Sequence, residues 1–96
     1  MNKRVVKAEF VNELMFFSGV SRRDLNSGLS LEEVEDALIR YSSSFYGARI
    51  DLDQYAIKKC HFIATYAEQI IKGDIIEKDI NAFLDEIIED EQEMVM

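Results

Sequence analysis

Residues 51–72 read DLDQYAIKKCHFIATYAEQIIK, and the spacing of apolar side chains within this stretch decides the fold. At about 100° per residue, Leu52, Ala56, Cys60, Ile63, Ala67 and Ile70 stack along one line of a helix. Tyr55, Phe62 and Tyr66 fall on one shoulder of that line, and Ile57, Ala64 and Ile71 on the other. A helix lying on a protein surface needs an apolar stripe only about 100° wide. An arc this broad predicts a central helix over 52–72 that the rest of the chain packs against from several sides.

The neighbouring segments supply the partners. Ser30 and Glu33 form a capping box ahead of Leu31, Val34, Ala37, Leu38, Tyr41 and Phe45, which recur at helical spacing and predict a helix over 31–46. Glu32, Glu33 and Asp36 suit the positive end of its dipole. Ser42, Ser43 and Ser44 weaken its end, and Gly47 is the expected stop. Asp51 or Asp53 is expected to cap the central helix, which Gly73 should end just after Lys72. Asp74 with Glu77 predicts the start of a last helix over 75–92, with Ile76, Ile80, Phe83, Leu84, Ile87 and Ile88 inward. Asp79, Glu86, Asp90 and Glu93 line its outer face, continued by Asp85, Glu89 and Glu91.

At the other end, Val6, Phe10, Leu14 and Phe17 predict a first helix over 4–17. Ala8, Val11 and Met15 give it a second apolar face, so it either lies between two helices or offers a face to a second copy of the chain. Turn formers at Ser18, Gly19, Asn26, Ser27 and Gly28 predict a connection over 18–30, with Ser21 and Asp24 able to cap a short turn at 21–26. The expectation is an all-α, compact four-helix bundle, with one extra short helical turn, forming a single domain over residues 1–96.

The composition restricts the function. Residues 1–50 hold seven Lys/Arg and seven Asp/Glu, whereas residues 51–96 hold four and twelve, so the whole formal charge of −8 falls in the second half. That field repels nucleic acid and membrane surfaces and attracts basic proteins. One cysteine, Cys60, builds no internal disulfide and fits a reducing compartment. Without a long apolar run or a signal-peptide pattern, a cytoplasmic protein is expected.

No residues assemble into catalytic machinery. His61, the only histidine, lies beside Cys60 in sequence, but adjacent helical side chains diverge by about 100°, so the pair does not make a nucleophile and base. Asp51 and Asp53 begin like a calcium loop, yet Ala56 stands where the sharp turn needs Gly and Phe62 where a bidentate Glu is needed. Asp85 with Glu89, and Glu86 with Asp90, sit at i, i+4 without a histidine or cysteine beside them, so neither metal nor cofactor is expected. The chain reads as a binding protein and not an enzyme.

Two resemblances bear on what it binds. Residues 16–25, FFSGVSRRDL, are similar to the turn and recognition helix of helix-turn-helix domains, departing from that pattern at Met15 and Gly28. This resemblance implies a small DNA-binding regulator with Arg22 and Arg23 in the major groove. Ala8-Glu9-Phe10 and Ser30-Leu31-Glu32-Glu33-Val34 are similar to the first two helices of DNase-colicin immunity proteins, although that family's paired tyrosines before a proline have no counterpart here. It implies an acidic helical surface that neutralises a nuclease.

The clustered acids favour the second class: an inhibitor or neutraliser, of the immunity, antitoxin or phage-antagonist kind, of a basic nucleic-acid-handling protein. Its expected partner-binding residues are Asp79, Asp85, Glu86, Glu89, Asp90 and Glu93, with Tyr55, Phe62 and Tyr66 around Lys59 as aromatic anchors. A self-associating helical module, dimeric through the first helix, is the third reading.

Overall fold

A computed structural model describes residues 2–47, 54–74 and 76–95, with side chains described as far as residue 88. The expected caps Asp51 and Asp53, and Leu52, lie outside the described residues, as do the side chains of Glu89, Asp90, Glu91 and Glu93. The described residues form α1 (Lys3–Asn26), α2 (Leu31–Gly47), α3 (Gln54–Thr65), α4 (Ala67–Lys72) and α5 (Glu77–Val95), with no strand among them. The architecture is an all-α helical bundle.

The first helix is longer than its sequence suggested. Asn2 caps α1, its side-chain oxygen accepting from the Arg4 amide at 3.0 Å. The helix then runs through Ser18 and Gly19, where a turn was expected, and absorbs the separate turn expected at 21–26. The reason is that core spacing persists: after Val6, Phe10, Leu14 and Phe17 come buried Ser21 and the partly buried Leu25 on the same face. Burying a Phe contributes about 1.5–3 kcal/mol, more than the roughly 1 kcal/mol by which one helical Gly disfavours the run. The chain leaves the helix only at Asn26, with Gly28 at φ +103°. Residues 16–25 are therefore one continuous helix, and the turn of a helix-turn-helix is not there.

The Ser30–Glu33 capping box forms as expected. The Ser30 hydroxyl accepts from the Glu33 amide at 3.2 Å while the Glu33 carboxylate accepts from the Ser30 amide at 3.3 Å. Within α2 the core seam is rotated from the expected line. Val34, Leu38, Ser42 and Tyr46 are buried, whereas Tyr41 is exposed. Ser42 stays helical by donating its hydroxyl to the Ile39 carbonyl at 3.0 Å.

The central helix is two helices. Tyr66, at φ −112° and ψ 27°, separates α3 from α4. Beside the break, the Thr65 hydroxyl donates to the His61 carbonyl at 2.9 Å, a back-bond that bends helices. The buried line also turns toward the aromatic shoulder: Ala56, Lys59, Phe62 and Ile63 are buried in α3, and Ile57 and Ala64 face out.

Arg22 closes α4 from outside. Gly73 ends that helix in the left-handed region at φ 81°, and its amide and that of Asp74 satisfy the Ile70 and Gln69 carbonyls at 3.0 and 2.9 Å. The next two carbonyls, of Ile71 and Lys72, accept from the Arg22 guanidinium at 3.3 and 2.8 Å. A Cβ on residue 73 would lie 1.6 Å from Arg22 Nη2, so a larger residue would displace the guanidinium from these carbonyls as well as strain the positive φ. Arg22, placed in a DNA groove by the helix-turn-helix resemblance, is instead a C-cap for a helix 49 residues further along.

Candidate functional site

A seam open to solvent runs between α3–α4 and α5, and a chain of aromatic rings builds it. Phe10 of α1 stands edge-on to Phe62 with centroids 5.3 Å apart, and Phe62 meets Tyr66 at 4.6 Å and Phe83 of α5 at 4.9 Å. These rings hold α5 away from α3, leaving a groove of about 400 Å³ open to solvent. Phe62, Tyr66 and Phe83 make its floor. Lys58, His61 and Thr65 form the wall on α3, and Asp79, Ala82 and Glu86 the wall on α5.

Four of the expected partner-binding residues, Phe62, Tyr66, Asp79 and Glu86, thus line one groove. Asp79 accepts from the Tyr66 hydroxyl at 3.3 Å, and partial burial together with that carboxylate raises the Tyr66 phenol above its ordinary value. Glu86 is exposed and has no ion-pair or hydrogen-bond partner among the described residues. The acids on the opposite edge of α5 are placed differently: Lys7 pairs with Glu77 at 3.0 Å and Lys3 with Asp85 at 2.5 Å. Asp85, expected on the partner surface, lies outside this groove and pairs with Lys3 of α1.

Tyr55 is also placed elsewhere. It stacks on Phe83 at 6.5 Å and lies under Lys59, whose ammonium is 4.1 Å from the Tyr55 centroid and 4.9 Å from that of Tyr46. Lys59 is buried, pairs with Glu13 at 3.5 Å, and shares that carboxylate with the Tyr46 hydroxyl, which donates to it. Burial, and then the Glu13 carboxylate, push the Tyr46 phenol far above its ordinary value. Sequence reading missed this polar cluster because a lysine between two aromatic positions looks solvent-facing. Its signal was the i, i+4 pair Tyr55 and Lys59, a spacing at which a ring can cover an ammonium.

His61 is exposed on the groove wall, and among the described residues its ring makes no hydrogen bond to Asp79, Glu86 or Cys60. Cys60 is half-buried, its thiol donating to the Ser42 carbonyl at 3.7 Å, and burial raises its pKa. Among the described residues no three His, Cys, Asp or Glu side chains converge closely enough to hold a metal ion. No described helix is long and apolar enough to cross a membrane. Fold and groove together define an all-α protein with an aromatic-floored cleft and one acidic wall. Comparison with protein-family models, with curated proteins and with solved structures finds no match for this chain.

Proposed function

We propose that this is a non-enzymatic binding protein that receives a basic partner along the groove between α3–α4 and α5, as an acidic inhibitor or neutraliser of a nucleic-acid-handling protein. The observation that carries the reading is the meeting of an aromatic floor with two carboxylates, Asp79 and Glu86, that form no ion pair among the described residues. Apolar rings supply contact area, and acids supply steering and exclusion of the wrong charge. Mimicry of a phosphate-bearing ligand follows, because a surface that binds phosphates also accepts a row of carboxylates. The test is an amide NMR titration with a Lys- and Arg-rich amphipathic helical peptide at low salt. Shifts centred on His61, Thr65, Ala82 and Glu86 that weaken as salt rises support it; shifts spread evenly over the acidic surface would refute it.

A second reading, self-association, has its own observation. The outward face of α1 exposes Val5, Ala8, Met15 and Phe16, with Val5 at 52% and Met15 at 58% of full exposure. Sedimentation at several concentrations tests it: a dimer that Met15→Glu dissolves supports the reading, and a strict monomer refutes it.

A further inference from the structure

We infer that the groove's occupant is an amphipathic helix carrying two arginines seven residues apart, with a large apolar side chain between them. This rests on the proposed binding role and adds the ligand's register. Asp79 and Glu86 are themselves seven residues apart on α5, so they lie within about 20° of each other and about 10.5 Å apart along the axis. Ala82 and Phe83 lie between them on the groove side. Ala82 is exposed and small, which lets a second helix approach to the 8–10 Å axial distance of packed helices, and Phe83 then meets that helix's middle apolar residue.

The spacing selects against an extended segment. At about 3.3 Å per residue, a strand covers 10.5 Å in about three residues, and side chains three apart point to opposite faces. In a helix laid along α5, residues seven apart stay on one face and in step with Asp79 and Glu86. Arginine suits both ends because its planar guanidinium forks onto a carboxylate while stacking on rings such as Tyr66 and Phe83.

The experiment uses two labelled Ala-based helical peptides of about 18 residues, long enough for helicity to be measurable, and of identical composition. One carries arginines seven apart around a central leucine; the other carries them five apart, where helical geometry turns them about 140° away from each other. Equal helicity is checked by circular dichroism, and binding to the full chain is read by anisotropy at low salt. The seven-spaced peptide is expected to bind at least about tenfold tighter, and Asp79→Asn with Glu86→Gln to remove that advantage. Asn at residue 79 still accepts from Tyr66, and Glu86 is exposed, so the variant keeps its fold, as unfolding curves verify. Equal affinity of the two peptides, both weakened by the variant, overturns the register while leaving the basic-partner reading standing. Binding that ignores the variant, or no binding by either peptide, overturns both.

Discussion

The two edges of α5 carry the same side-chain chemistry to different ends. Toward α1, Glu77 and Asp85 are each matched by a lysine. Toward α3, Asp79 and Glu86 face a cleft floored by Phe62, Tyr66 and Phe83. Asp85 and Glu86 are sequence neighbours, yet one pairs with Lys3 of α1 and the other lines the groove without an ion pair among the described residues. Charge on a helix therefore acquires meaning only from what its edge faces: an acid beside a lysine is a weak structural tie, whereas an acid on the wall of an aromatic-floored groove is what the proposed recognition uses.

The largest effect should come from disturbing the packed helices against which α5 is set. Lys59→Met keeps much of the side-chain volume but leaves the Glu13 carboxylate without its ammonium; a loss of about 3 kcal/mol is expected in urea unfolding. Adding Glu13→Gln should recover part of it, giving a clear coupling in the double-mutant cycle. Next comes Gly73→Ala, which puts a Cβ at a positive φ and against Arg22. About 2 kcal/mol should be lost, with Arg22→Ala adding little on top, because both changes break the same cap.

Alkaline pH gives a graded test of the same buried cluster. The folded Tyr46 phenol titrates above the unfolded value near 10, so its contribution to stability is intact below pH 10 and is lost as pH climbs beyond it. The expected slope is about 1.4 kcal/mol per pH unit, and Tyr46→Phe should flatten it. The two edges of α5 then separate by small amounts. Glu77→Gln with Asp85→Asn should cost under about 1 kcal/mol and less still in high salt, while Asp79→Asn with Glu86→Gln should change stability by under about 0.5 kcal/mol.

Much of the fold was legible because periodicity and caps act locally: the Ser30–Glu33 box, the Gly73 stop and the inward line of α5 lie where their spacing put them. The misplaced boundaries have two causes. At Ser18 and Gly19 weak helix formers were overridden by burial of the flanking face, and at Tyr66 a helix with uninterrupted apolar spacing was broken beside a threonine back-bond. The candidate site was half legible. Phe62, Tyr66, Asp79 and Glu86 could be named from their helical faces, but their convergence, and the diversion of Asp85 to Lys3 and of Tyr55 to Lys59, arise from contacts between distant segments.

The most direct measurement compares two variants with the same change in net charge, Asp79→Asn/Glu86→Gln and Glu77→Gln/Asp85→Asn, by stopped-flow association with the seven-spaced arginine peptide at low salt. The groove-edge pair should slow association at least about tenfold and the α1-edge pair by under about twofold. Equal slowing by the two pairs would mean that overall charge alone attracts the peptide, and would contradict a binding site in the groove.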